Sequence, residues 1–397
     1  MKKLPPIWLL VCLMMLPQIA ETIYSPILPS ISQAFYVSVV DAGQTLSIYF
    51  IAFAVGVVFW GCMADIIGRR SSMLLGLLCY ALACIVAALT NSFSILLAAR
   101  AMSAFGLAVG SVISQTILRD GYSGKELAQT FNIMGLAISI SPIIGLLAGT
   151  GLNILGGYRI VFIMLAVLAL FIFIICYSRL NETQNELNVT DSFFSVAKKM
   201  VMDTKIWLST CLVAGFNLLI FVYYQQGAFF FESLGYSSQQ FGYSGIVLAL
   251  GTFCGGILNR RLLSMGYTSY FVIAIAGVIS FLGGLCAYQL SNSLWLLAVV
   301  LVIVCSFGLA IPNILSVALN NYKTSIGSAG AIFGLFYYLM LGLGLNITAY
   351  VNHLSQSLLF TSAFIMINAG LFFWLRNKQY CFLSNCPVFY MIHMLIK

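Results

Sequence analysis

Two residues of this chain carry charge where charge is costly. Glu21 and Arg100 each stand inside a long apolar run. An ionisable side chain at membrane depth is a functional candidate by default. A carboxylic acid withdrawn from water prefers its neutral form, so an acid there can take up and return a proton as its surroundings change. Gln18, Tyr24 and Ser25 lie three or four residues from Glu21 and share its helical face. Pro17, Pro26 and Pro29 interrupt the same run and free carbonyls that can line a cavity. Arg100 cannot lose its proton and works only by pairing with or repelling an acid. Ser103, Gly110 and Ser114 follow along its face. The bland alternatives are a bracing acid hydrogen-bonded to a neighbouring helix and an arginine that snorkels to the surface.

Neutral polar residues form a second set. Asn217, Tyr223, Tyr224, Gln225 and Gln226 interrupt another apolar run. Amides and phenols in apolar surroundings suit a site that tolerates varied hydrophobic ligands. Plain hydrogen bonding between helices accounts for them equally well. A third set is the stretch Gly61-Cys62-Met63-Ala64-Asp65-Ile66-Ile67-Gly68-Arg69-Arg70. Residues 42–64 and 71–99 carry no charge, so this charge sits in a short turn between two membrane-length runs. Asp65 can cap the next helix or pair with an arginine. Arg69 and Arg70 mark a cytoplasmic face.

The elements that must position these residues follow from composition. Of 397 residues, 61% are hydrophobic and 7% charged, against roughly 25% charged in soluble domains. The chain is therefore expected to be an all-α integral membrane protein. Charge-free intervals give helices over about 7–30, 43–64, 72–90, 93–117, 127–150 and 159–178. Six more follow: about 206–231, about 240–258, a pair within 262–322 joined at Gln289–Ser293, and a pair within 324–375. Twelve transmembrane helices result. A polar stretch at 179–205, with Asn181, Glu182, Gln184, Glu186, Asp191, Lys198, Lys199, Asp203 and Lys205, divides them six and six. Gly256-Ile257-Leu258-Asn259-Arg260-Arg261 repeats the Gly61–Arg70 loop in weaker form in the second half, as expected of two halves related along the membrane normal.

With both termini inside, sixteen of the eighteen Lys and Arg residues fall in inside segments; Arg100 and Arg159 are the exceptions. That asymmetry, not nucleic-acid binding, accounts for the net charge of +8. Lys2, Lys3 and the run from Ile7 could pass for a signal peptide, but Gln18 sits where a small residue would precede cleavage after Ala20. The run reads as an uncleaved first helix in a bacterial inner (plasma) membrane. The 11 cysteines lack a CxxC pair and read as small hydrophobes. His353 and His393 fall in an outer loop and the tail. No His/Asp/Glu cluster points to an enzyme, a metal or a cofactor.

The pattern G-x-x-x-D-x-x-G-R-R at Gly61, Asp65, Gly68, Arg69 and Arg70 resembles the loop between helices 2 and 3 of the major facilitator superfamily. Gln18–Pro29 (QIAETIYSPILP), Arg119-Asp120 with Tyr122, Ser141-Pro142 ahead of Gly145 and Gly149, Tyr158-Arg159 and Glu182-Thr183 resemble the Bcr/CflA group of drug/proton antiporters. The resemblance covers about residues 1–376. It implies two six-helix bundles, 1–178 and 206–376, around a central cavity. A linker at 179–205 and a cytoplasmic tail at 377–397 complete the chain. It also implies proton-driven efflux of small amphipathic compounds by a monomer among membrane lipids. Arg100 then belongs to the helix 4 proton-coupling motif, and Asp65 helps latch the inner gate. Gln18, Tyr24, Asn217, Tyr223, Tyr224 and Gln225 are the expected cavity residues. Three departures stand out: the acid is at Glu21 where many members have it at the position of Thr22, Ser103 replaces a glutamine, and Leu146 replaces a second proline. The alternative cargo is a specific metabolite or siderophore.

Overall fold

The computed structural model describes residues 5–122, 124–183 and 193–384. Lys2, Lys3, the linker residues Gln184, Glu186 and Asp191, and the tail beyond 384 lie outside the described residues. In chain order the helices are α1 (Ile7–Thr22), α2 (Leu28–Phe35), α3 (Val39–Ile67), α4 (Arg69–Leu89), α5 (Phe93–Gly121), α6 (Gly124–Arg179) and α7 (Phe193–Val201). The second half comprises α8 (Thr204–Ser233), α9 (Ser238–Tyr243), α10 (Gly245–Ser264), α11 (Ser269–Gln289), α12 (Leu296–Ala318), α13 (Ile326–Val351) and α14 (Leu354–Ser384). A helix satisfies its own backbone groups, which an apolar bilayer demands.

Among the described residues, eleven stretches are long and apolar enough to cross a membrane. One of them, Gln129–Arg179, has 51 residues. It breaks at Gly156–Gly157, where Gly157 takes a φ of 66°, giving twelve crossings. The first crossing runs past the expected end at residue 30, because α1 and α2 are joined by a 3-10 turn at Ser25–Ile27. Pro26 and Pro29 withhold backbone donors there, so the α-helical ladder is interrupted without ending the span. The second crossing begins earlier than expected. The Asp41 N–H donates to Ser38 Oγ at 3.1 Å, and the Ser38 N–H donates to Asp41 Oδ2 at 3.3 Å. This capping box adds a polar first turn to α3.

Within the first half, α3 and α4 pack on α5, α4 on α6, and α1 on α6. Within the second, α11 packs on α12 and α14, α10 on α12, and α8 on α13 and α14. The halves meet along α3 and α13, and where α6 touches α9 and α10. Bonds between them cluster toward the end opposite the Gly61–Arg70 loop. There the Gln225 amide of α8 donates to the Gly43 carbonyl of α3 at 2.9 Å, and within its own half to the Leu345 carbonyl at 3.1 Å. Ser25 Oγ donates to the Tyr224 carbonyl.

Candidate functional site

Glu21 and Arg100 are both 1% exposed. They lie within coulombic reach of one another, yet among the described residues Arg100 closes no ion pair with any carboxylate. Glu21 Oε1 and Arg100 Nε and Nη2 have no hydrogen-bond partner. The guanidinium instead lies over two rings, 3.9 Å from the centroid of Tyr24 and 4.5 Å from that of Tyr49. Cation–π contact of this kind contributes about 2 kcal/mol once desolvated. Arg100 is thus held in the bundle interior and does not reach for the membrane surface.

Glu21 sits at the seam between the halves. Tyr49 from α3, Tyr224 from α8, and Tyr337 and Tyr338 from α13 are all within its electrostatic reach. Around this seam runs an aromatic band. Phe50 meets Phe221 edge-on at 4.5 Å, Phe53 meets Tyr338 at 4.9 Å, and Tyr337 meets Tyr338 at 4.2 Å. The first two pairs are edge-on and the third tilted, arrangements that are favourable and directional. Tyr49, Phe50, Phe53, Phe221, Tyr337 and Tyr338 were not singled out by the sequence. The run Phe336-Tyr337-Tyr338 and the helical spacing of Tyr49, Phe50 and Phe53 were the available signals.

The other expected cavity residues divide. Gln18 and Asn217 are half-buried, and Asn217 Nδ2 donates back to the Val213 carbonyl at 2.8 Å. Tyr223 and Tyr224 are buried. The Tyr223 hydroxyl donates to Ser244 Oγ at 2.6 Å, and Tyr224 packs edge-on against Phe221. Gln225 is occupied by its bond to Gly43 across the halves and to Leu345 within its own half, and Thr348 Oγ1 donates to its Oε1 at 3.3 Å. Gln226, on the next turn face, donates to the Thr348 carbonyl at 2.8 Å.

The helix 5 residues Ser141, Pro142, Gly145 and Gly149 lie on α6. A side chain at Gly145 would collide with Thr22, and one at Gly149 with the Ile23 carbonyl and Pro26. This face therefore holds the backbone that carries Glu21. The Ser141 hydroxyl donates to the Ala137 carbonyl at 2.9 Å, and Pro142 lies within the helix.

At the loop end, Arg69 Nη1 pairs with Asp65 Oδ1 at 2.9 Å and Arg69 Nε with Asp120 Oδ2 at 3.0 Å. Asp65 is 62% exposed and Asp120 only 18%. Water screens the first pair, so Asp120 is the stronger partner. Asp65 pairs with arginine, and the start of α4 is capped by Glu182. Its Oε1 accepts from the Arg69 N–H at 2.9 Å and its Oε2 from the Arg70 N–H at 3.1 Å. A carboxylate suits this position because a helix N-terminus is electropositive. Thr183 Oγ1 donates to Asp120 Oδ2 at 3.2 Å, and Arg70 Nη2 donates to the Tyr177 carbonyl at 2.7 Å. Gly61 stands on α3 near Val112. Gly68 has a φ of 90°, and a Cβ there would strike the Glu182 carboxylate. Gly68→Ala should therefore cost about 1–3 kcal/mol and lower the apparent Tm in a thermal-shift assay. An unchanged Tm would show that Glu182 does not hold this turn.

Residues 10–345 match the Major Facilitator Superfamily. An uncharacterized transporter of Rickettsia felis is 28% identical over 85% of this chain and 87% of its own length. Multidrug resistance protein D of Escherichia coli is 31% identical over 40% of this chain and 41% of its own. Among solved structures, a D-xylose-proton symporter matches with a TM-score of 0.75 at 15% identity, covering 93% of this chain and 96% of that one. With twelve crossings in two bundles and a family match over most of its length, the chain belongs to the Major Facilitator Superfamily and is a multi-pass transporter of small molecules, not an enzyme.

Proposed function

We propose that the protein exports small hydrophobic or amphipathic compounds in exchange for protons, by alternating access. The observation that carries this reading is Glu21: a fully buried acid with an unpaired oxygen, set where tyrosines of both halves converge. A proton on Glu21 and a cationic or polar substrate nearby compete for one negative charge. Each therefore favours release of the other. The aromatic band supplies sequence-tolerant walls for lipophilic cargo. The names of the multidrug relatives support the same substrate class. The bonds of Gln225 and Ser25 across the halves act as the clasp of the outer gate, and the Asp65–Arg69–Asp120 cluster holds the inner one.

In this reading the protein works as a monomer in a bacterial inner membrane, surrounded by lipid. Its units divide at 178, 205 and 376, and both termini and the linker face the cytoplasm. Purified protein in proteoliposomes, tested on a panel of lipophilic cations and neutral amphiphiles, checks the function. Several compounds should accumulate when a pH gradient is imposed and stop when it is collapsed. Absence of gradient-driven accumulation across the whole panel would overturn the proposal.

A further inference from the structure

The polar centre of the first half holds more than a proton site. Five side chains from four crossings converge there, each at most 1% exposed: Glu21 and Tyr24 from the first, Tyr49 from α3, Tyr80 from α4 and Arg100 from α5. Every one has a polar atom without a hydrogen-bond partner: Glu21 Oε1, Arg100 Nε and Nη2, and the hydroxyls of Tyr24, Tyr49 and Tyr80. Thr45 neighbours the Tyr24 hydroxyl and Cys84 the Tyr80 hydroxyl, but neither closes a hydrogen bond of normal geometry. Buried polar atoms in native proteins are nearly always paired, so a cluster of unpaired ones calls for a ligand or ordered water.

The cluster has a sign. Arginine only donates and phenols donate readily, so the unpaired donors, two guanidinium nitrogens and three hydroxyls, outnumber the single unpaired carboxylate oxygen. The charges agree. With Glu21 ionised, the centre holds one negative and one positive charge. With Glu21 neutral, the Arg100 charge stands alone in a low-dielectric interior, which is strongly disfavoured. The remaining titratable groups in reach are Cys84 on α4, Tyr224 on α8, and Tyr337 and Tyr338 on α13. None of them brings a counter-charge while protonated. The rings of Tyr24 and Tyr49 contact the guanidinium, and its Nε and Nη2 edge is unpaired. The unpaired guanidinium edge can also grip a carboxylate, but with all five side chains at most 1% exposed the closed centre favours a small monatomic anion over a bulkier oxyanion.

We propose that Arg100, with the hydroxyls of Tyr24, Tyr49 and Tyr80, binds a small monovalent anion of the halide class, taken up when Glu21 gains a proton and released when Glu21 loses it. Proton and anion then enter together and the buried charge stays near neutral. The linkage rests on Glu21 titrating, as the function proposed above requires; the anion site itself does not.

The test is binding of radiolabelled chloride to the purified full-length protein in detergent, at mildly acidic and mildly alkaline pH. Saturable binding is expected in acid, weakening by about tenfold per pH unit once Glu21 ionises, the limit for one linked proton. Glu21→Gln should bind chloride equally at both pH values. Arg100→Gln should abolish binding, and Tyr80→Phe, which changes no charge, should weaken it several-fold while the protein keeps its elution profile. No saturable chloride binding in the wild type, or binding indifferent to Tyr80→Phe and Arg100→Gln, would mean that water alone fills the centre and would overturn the site. Binding that ignores both pH and Glu21→Gln would overturn the linkage. Because binding is read without transport, its failure leaves the export reading standing, and failed export leaves the binding result standing.

Discussion

Glu21→Gln is expected to abolish proton-driven accumulation while the protein still inserts, folds and binds neutral compounds. The amide keeps the shape of the carboxylic acid and removes only the ability to ionise. Glu21 Oε1 has no hydrogen-bond partner to lose, so no hydrogen bond is broken, and the cost is the uncompensated charge left on Arg100. Coupling is lost wholly, since among the described residues no other carboxylate is buried. For one proton exchanged per neutral substrate, a gradient of one pH unit supports about tenfold accumulation. The variant should stay at the level of passive entry. The competing acid is Asp41. It is already engaged in the cap of α3 through Ser38, so Asp41→Asn should cost about 0.5–2 kcal/mol of stability and leave coupling in place. Coupled accumulation that survives Glu21→Gln and vanishes in Asp41→Asn would reverse the assignment.

The second large effect is expected at the face of α6 that holds Glu21 in place. Gly145→Ala drives a methyl group into Thr22, and Gly149→Ala drives one into the Ile23 carbonyl and Pro26. Overpacking costs about 1–3 kcal/mol where neighbours can shift. Here the neighbours include the Ile23 backbone and the Cβ of Thr22, which cannot swing aside, so the strain displaces the segment next to the acid. Transport should fall at least as steeply as in Glu21→Gln, with a lowered melting temperature as well. Gly151→Ala, on the same helix with open space around it, should change neither. Equal behaviour of Gly145→Ala and Gly151→Ala in transport and melting assays would contradict the packing role.

The crossings were legible because a bilayer leaves few options: charge-free runs of the right length must be helices. Their ends were less so. Asp41 lies outside the run expected at 43–64, yet it belongs to the first turn of α3 through a local capping box. Glu21 and Arg100 stood out because each is an isolated charge in an apolar run. Their surroundings did not. Rings such as Tyr49, Phe50, Phe221 and Tyr338 are ordinary in a chain that is 14% aromatic, and only packing reveals which of them converge. Gln225 left two equal readings until its bond to the Gly43 carbonyl tied it across the halves. Glu182 was visible as linker charge and as part of a resemblance. Its role as a cap depends on the end of α6 meeting the start of α4, a contact more than a hundred residues apart in sequence.

Substrate-induced proton release tests most directly whether Glu21 exchanges a proton for cargo. Purified protein in weakly buffered detergent solution is given a lipophilic cation while a pH indicator is followed. The wild type should release protons in a saturable manner with substrate concentration, and Glu21→Gln should release none at concentrations where it still binds a neutral ligand. Undiminished release from Glu21→Gln would contradict the account, because the proton would then be held elsewhere.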